Sequence, residues 1–462
     1  MSIRQRILQF MKKNIFIFKL AILSIISFGI LAIGCNSNNN NNSNNNDNNN
    51  NNNNNSSINK ATVISERDSQ NISTDDPSTF VSSDSLNLND DFITGVDISS
   101  IISLEESGVT FYDENNNECD IFKLLSDNGV NCIRVRIFND PYDEKHNTYG
   151  GGHNDLTTAL DIGKRASAYN IPLYLDFHYS DFWADPKKQQ VPKAWSDMSF
   201  SEKEQAIYDY TMESLAMFID NNISVKMVQI GNETNYHFCG ETDWDNICTL
   251  LSAGISAVRQ VAATNNLQIE TALHFTNPEI LNNYSSIAAA LYERNVDYDI
   301  FATSYYPYWH GTLSNLNTVL SDICANYHKK VLVAETAYPY TFNDSDCFTN
   351  NVNADNYTDI TYDISPEGQY SFIYDLAKTL NSISDCIGFF YWEPAWIAVG
   401  DSYNDNLNKW EKFGSGWATS FAGSYDESDA GKYYGGSSWD NQALFDPSGK
   451  PLPSFGIFKD IR

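Results

Sequence analysis

Positive charge is scarce in this chain. Over 462 residues, 29 Lys and Arg stand against 59 Asp and Glu, a formal charge of −30. So acidic a surface repels nucleic-acid phosphates and anionic lipid headgroups, which argues against nucleic acid or a charged membrane face as a partner. Closely paired cysteines are also missing. Eight Cys occur without a single CxxC spacing, so no zinc site is expected. Apart from Cys35 they number seven, an odd count that rules out a complete disulfide framework. Cys132 and Cys386 fall in apolar strand patterns and read as small buried hydrophobes. Cys239 and Cys248 share one loop region and could pair in an oxidising compartment. A membrane-spanning run is absent from the N-terminus too: Leu20 to Ile33 falls short of the ~20 apolar residues that cross a bilayer.

What that N-terminus does contain is a basic start (Arg4, Arg6, Lys12, Lys13, Lys19), the short apolar core, and small residues before Cys35. Residues 1–35 therefore read as a secretory signal peptide. Its ending, Leu31-Ala32-Ile33-Gly34-Cys35, resembles a bacterial lipobox, with Ala32 where a larger aliphatic is more usual. That makes Cys35 the expected lipidation site, and an N-terminal lipid the only membrane attachment expected. From Asn36 to Ser57 the chain is nearly pure Asn, and it stays polar to about residue 90. Such a segment has no apolar surface to offset its ordering entropy, so residues 36–90 read as a disordered tether.

Composition changes abruptly near Phe92, and one domain is expected over residues 91–462. Short runs rich in β-branched and aromatic residues recur at Ile93–Ser99, Cys132–Phe138, Pro172–His178, Val225–Glu233, Ile269–Phe275, Tyr298–Tyr306, Lys330–Tyr338 and Cys386–Glu393. Continuous apolar runs of this length mark parallel strands covered on both faces. Helical patterns alternate with them, as at Asp155–Tyr169, Ser201–Ile219 and Trp244–Ala263. Eight such repeats predict an α/β fold, a (β/α)8 TIM barrel with extended βα loops. A doubly wound sheet is disfavoured because no Gly-rich phosphate loop follows the first strand.

Barrel enzymes place their chemistry at the C-terminal ends of strands. Charged side chains there are costly to bury without a partner or a function. Glu233 and Glu335 end the fourth and seventh runs, on opposite sides of the expected mouth. A carboxyl pair across a cleft suits glycosidic cleavage, which needs one proton donor and one nucleophile or base. Arg136 is expected to hold Glu335 ionised, while poorly solvated surroundings keep Glu233 protonated. Asn232 is placed to reach a sugar hydroxyl. His178 and His274 are expected to orient the carboxyls or touch the sugar, and Tyr305 to hydrogen-bond Glu335. Asn139, Asp181, Trp183, Asn277, Trp392 and Trp396 complete the candidate sugar-binding set. Glu393, between Trp392 and Pro394, reads as loop support.

At these residues the sequence resembles glycoside hydrolase family 53, the endo-β-1,4-galactanases. The likeness runs through Gly95-Val96-Asp97-Ile98-Ser99-Ser100, Arg134-Val135-Arg136-Ile137-Phe138-Asn139-Asp140-Pro141, Asp176-Phe177-His178-Tyr179-Ser180-Asp181-Phe182-Trp183, Gly231-Asn232-Glu233-Thr234-Asn235, Ala334-Glu335-Thr336 and Tyr391-Trp392-Glu393-Pro394-Ala395-Trp396. It implies retaining, endo-acting hydrolysis of β-1,4-galactan in pectic type I arabinogalactan. Glu233 would be the acid/base and Glu335 the nucleophile, with carboxyls ~5–5.5 Å apart. No cofactor is implied for catalysis, and a monomer acting on plant cell-wall galactan is expected. The loop from Ile397 to about Trp439 resembles that of bacterial members, some of which bind structural calcium. Asp344, Asp346, Asp426 and Asp429 are the candidate ligands here, although Asn343-Asp344-Ser345-Asp346-Cys347 departs from the usual loop pattern. Two other readings stay open: another endo-glycanase of the same clan, such as a mannanase or cellulase, or a surface lipoprotein that binds glycan without cutting it.

Overall fold

Eight buried runs become eight parallel strands: β1 (Ile93–Asp97), β2 (Cys132–Ile137), β3 (Leu173–Phe177), β4 (Val225–Ile230), β5 (Glu270–Phe275), β6 (Ile300–Ser304), β7 (Lys330–Thr336) and β8 (Cys386–Trp392). Each pairs with the next, and β8 returns to β1, closing the barrel. The computed structural model describes residues 85–357 and 361–462. Signal peptide, Asn-rich segment and Cys35 lie outside the described residues.

Side chains alternate in and out along every strand. Outward residues such as Val96, Val135, Leu175, Val228, Leu273 and Val333 join the helices in one large core. Inward residues Ile93, Cys132, Tyr174, Met227, Ala272, Ile300, Leu332 and Phe390 fill the lower barrel. Gly95 makes room for Phe390, because a β-carbon there would sit 2.4 Å from the ring. One step nearer the C-terminal end, the inward positions turn polar: Asp97, Arg134, Asp176, Gln229, His274 and Ser304, all buried. The apolar plug thus becomes the floor of a charged layer.

Helices cover the outside. Asp155 caps Leu156–Ala168 through the Thr158 N–H, and Ser199 with Glu202 forms a capping box for Phe200–Asp220. Except at β5, the expected strand ranges overran by one to three residues where the chain leaves the sheet to build the mouth. Cys239 and Cys248, which share a loop region in the sequence and could have paired, are both free buried thiols. Cys239 lies in the β4 loop beside Lys203, whereas Cys248 lies within the helix Trp244–Asn265.

Packing also starts earlier than expected. Leu86 and Leu88 lie against the core, and the Leu86 N–H donates to the Ile461 carbonyl at 3.0 Å. These residues were assigned to the tether, yet two leucines spaced two apart can share one buried face. A chain beginning at Phe92 should therefore be less stable than one beginning at Ser85, by about 2 kcal/mol for two partly buried leucines. Chemical denaturation of the two truncations checks this.

Candidate active site

The polar layer is organised by Arg134. Its guanidinium lies 2.9 Å from Asp97, 2.8 Å from Asp176 and 2.9 Å from Glu335. It also donates to Gln229 Oε1 and, at 3.1 Å, to Asn232 Oδ1. One buried cation facing three carboxylates stays protonated, and its pKa rises further above the usual arginine value as those charges outweigh burial.

Glu335 reaches this layer through a register shift. Thr303 pairs with Val333 but Ser304 pairs with Glu335, so Ala334 is an extra residue in β7. Such a bulge re-aims the side chains beyond it. Leu332 and Ala334 already face inward; strict alternation would have sent Glu335 outward. Instead it meets Arg134 and accepts a hydrogen bond from the Tyr306 hydroxyl at 3.1 Å. Glu335 is 8% exposed. Burial holds its carboxyl above the usual glutamate value; Arg134 and Tyr306 oppose that rise, and the charges of Asp176 and Asp97 add to it.

Glu233 follows Gly231-Asn232 at the end of β4. Gly231 has φ +81°, and a β-carbon there would meet Thr234 and Phe238. Glu233 itself adopts φ +48°, a left-handed conformation that costs a non-glycine residue about 1–3 kcal/mol. The turn leaves Glu233 half-buried, and Oε1 accepts from Ser304 at 2.6 Å. Burial, and then the charge of Glu335, raise its pKa to about 8. The two carboxyls thus sit in opposite settings, one against a guanidinium and the other facing no cation at close range.

Two expected partnerships are corrected. Arg136 does not reach Glu335. It pairs with Glu393 at 2.5 Å, donates to Ser100 and to the Gly151 carbonyl, and stacks under Trp183 at 4.6 Å. Arg134 and Arg136 share the inward face of β2, and Arg134, one step deeper, lies level with Glu335. Tyr305 turns away and donates to the Gly311 carbonyl, leaving Tyr306 to contact Glu335. Glu393 is fully buried beneath the loops, held by Arg136 and Ser100, which matches its reading as support.

The other candidates separate into braces and lining. His178 donates from Nε2 to Asp176 at 3.1 Å and accepts the Ala184 N–H at Nδ1. Asn232 is braced by Arg134 and the Ala184 carbonyl, and His274 lies wholly buried behind it. Asp181 accepts the Lys193 N–H at 2.6 Å, and burial lifts its pKa to about 6. Asn139 keeps a buried Oδ1 without a partner, and Asn277 bends the β5 loop at φ +65°. Trp183 and Trp396 donate their indole N–H groups to the Trp417 and Ser415 carbonyls, and Trp392 packs between Trp183, Trp396 and Trp439. Sequence reading missed Arg134 and Tyr306 as partners of Glu335, and missed Trp309, a ring 47% exposed beside Tyr306. The Tyr305-Tyr306-Pro307-Tyr308-Trp309 run was the available signal.

The acidic candidates rearrange. Asp426 and Asp429 each lie 2.7 Å from the Lys188 ammonium, which occupies the place a cation would take. Asp344 and Asp346 gather instead with Asp440, their carboxylate oxygens within 4.8 Å of one another. Asp440 Oδ1 and Asn350 Oδ1 are buried without a hydrogen-bond partner. Burial and the Asp440 charge push Asp346 up to about 9.

The model of glycosyl hydrolase family 53 matches residues 93–458. The endo-β-1,4-galactanase of Bacillus subtilis (strain 168) is 52% identical over 375 residues, covering 80% of this chain and 86% of that protein. The arabinogalactan endo-β-1,4-galactanase of Cellvibrio japonicus is 32% identical, covering 80% and 91%. Among solved structures, the GH53 catalytic domain of Ignisphaera aggregans matches with a TM-score of 0.73 at 37% identity, over 82% of this chain and 99% of that one.

The raised Glu233 pKa has a consequence for stability. A carboxyl whose folded pKa lies above its unfolded value supports the fold while protonated, and that support is lost as pH rises from about 4.5 to about 8. Glu233→Gln, neutral at every pH, should therefore be more stable than the parent at pH 8 and equal to it at pH 4. Thermal unfolding at the two pH values reads this directly.

Proposed function

Because the chain belongs to glycosyl hydrolase family 53, we propose that it is an endo-β-1,4-galactanase acting on pectic type I arabinogalactan by a retaining mechanism. The observation that carries this is the carboxyl pair in opposite settings. Glu335, against Arg134, is the carboxylate that attacks the anomeric carbon. Glu233, raised to about 8, protonates the departing sugar oxygen. The glycosyl–Glu335 ester is then hydrolysed by a water that gives its proton back to Glu233. Arg134 and Tyr306 hold Glu335 in place as its charge is consumed and restored. Trp392, Trp439 and Trp309 offer ring faces of the kind that stack on sugars, and the galactanase names of the relatives support galactose as that sugar.

Glu335→Ala should lower kcat on linear galactan by at least ~10³-fold, as loss of a covalent nucleophile does. Release of reducing ends from galactan, mannan and cellulose separates the activity from its clan alternatives. Binding of galactan with no shortening after long incubation would support the glycan-capture reading instead.

Two finer features belong to the same proposal. Asp344, Asp346, Asn350 and Asp440 would hold a calcium ion, an all-oxygen donor set of the type that hard cations take. Such an ion would neutralise the carboxylate cluster and tie the β7 loop to the β8 loop. Chelation should lower the melting temperature of the parent and leave Asp440→Asn unaffected. The leader and Cys35 support export with lipid anchoring at the cell surface, so Cys35→Ser should shed the enzyme into the medium.

A further inference from the structure

Two buried side chains that the mechanism has not used, Ser304 and His274, stand behind Glu233. The Ser304 hydroxyl lies 2.6 Å from Glu233 Oε1 and 3.0 Å from His274 Nε2. A hydroxyl carries one hydrogen, so it donates to one of these neighbours at a time. His274 decides which.

His274 Nδ1 is 2.8 Å from Asn232 Oδ1. The Asn232 amide has a single consistent orientation: its oxygen faces Arg134 Nη2 at 3.1 Å and its nitrogen faces the Ala184 carbonyl at 2.9 Å. Arginine only donates and a carbonyl only accepts, so Asn232 Oδ1 is an acceptor and His274 Nδ1 bears the hydrogen. Gln229 Nε2 also lies 3.2 Å from Nδ1, but its two hydrogens point to Asp176 Oδ1 at 2.6 Å and the Gly231 carbonyl at 3.0 Å. The imidazole is fully buried. Burial, and then the charge of Arg134, hold its pKa well below the usual histidine value. A neutral ring protonated at Nδ1 presents a bare lone pair at Nε2, aimed at Ser304.

We propose that Ser304 and His274 form a two-position hydrogen-bond switch that positions and tunes Glu233 as it alternates between acid and base. With Glu233 protonated, the chain runs Glu233 Oε1–H to Ser304 Oγ–H to His274 Nε2, and the Nε2 lone pair receives a hydrogen. When Glu233 presents its proton from the other oxygen and loses it to the departing sugar, the Ser304 hydroxyl turns over to Oε1. His274 Nε2 is then left facing an oxygen lone pair, which penalises the carboxylate. No proton passes along the chain. Glu233 gives its own proton to the leaving oxygen and regains one from the attacking water, while the hydroxyl hydrogen only rotates.

The surrounding charges are fixed parts of this balance. Glu233 faces Glu335 from β7, Asp185 from the β3 loop, and the phenols of Tyr284 and Tyr306. His274 faces Arg134 from β2 and Asp176 and His178 from the β3 end.

Opposite shifts follow for the two positions. Ser304→Ala removes the donor to the carboxylate, so the basic limb of kcat/KM on galactan should move to higher pH. His274→Leu removes the lone pair that competes for the Ser304 hydrogen, so the limb should move to lower pH. Each shift is expected on the order of one pH unit. Shifts of the same sign, or none, overturn the switch, since a packing role has no reason to give opposite signs. Histidine ¹⁵N NMR of the unsubstituted enzyme tests the same point, with Ser304→Ala used only to assign the ring. The ring whose Nε2 signal changes in Ser304→Ala should be neutral from pH 5 to 8, with its hydrogen on Nδ1. An Nε2–H tautomer or an imidazolium overturns the proposal. The switch rests on Glu233 being the acid/base, but the tautomer is read without substrate. A wrong tautomer therefore rejects the switch alone, whereas an active Glu233→Gln rejects the catalytic assignment and the switch with it.

Discussion

Arg134 is a guanidinium in a space with no water to solvate it, and the top of the barrel is arranged around that fact. A buried cation is tolerated only when charge and hydrogen bonds replace its hydration. Asp97, Asp176 and Glu335 supply the charge, and Gln229 and Asn232 supply further acceptors. Strands β1, β3, β4 and β7 each contribute a partner to Arg134 on β2, so the cluster is complete only when the barrel closes. Removing Arg134 would leave three buried carboxylates facing one another; removing Glu335 leaves a cation that still has two anions. The cluster is a structural device that ends, at the mouth of the barrel, in the Glu335 carboxyl.

The chain also accepts local strain to bring the two glutamates to the same cleft. Glu335 needs the extra residue at Ala334 to face inward, and Glu233 needs a left-handed backbone to leave its strand toward the mouth. Glu393, also left-handed at φ +50°, repeats the turn at β8, where its carboxyl anchors Arg136 under Trp183 and Trp392. The rigid lower barrel, filled by Phe390, Tyr174 and Met227, carries this strain without yielding.

Much of this was legible in the sequence. The eight strands stood out because parallel strands buried on both faces leave long apolar runs, and Glu233 and Glu335 stood out because charge ends those runs. What was not legible depended on atoms brought together by closure. Arg134 and Arg136 have the same parity, and only the level of Glu335 above the barrel floor distinguishes them. Tyr305 and Tyr306 are neighbours whose roles are exchanged by the turn after β6. Asp440 joins Asp344 and Asp346 across nearly a hundred residues, whereas Asp426 and Asp429 are taken by Lys188, a cation no local pattern links to them. Ser304 reads as an ordinary strand-end polar residue and His274 as a group that orients the carboxyls or touches the sugar; their link to each other shows only when their hydrogens are counted.

Arg134 keeps the Glu335 carboxyl easier to ionise than that of Glu233, which faces no cation at close range and is raised to about 8. Titration of the enzyme carrying ¹³C at the glutamate δ-carbons measures this most directly, with Glu233→Gln and Glu335→Gln assigning the two signals. The Glu335 carbon should ionise at lower pH than the Glu233 carbon, which stays protonated until about pH 8. Both carbons ionising together near pH 4.5, or Glu335 remaining protonated above Glu233, would contradict the account.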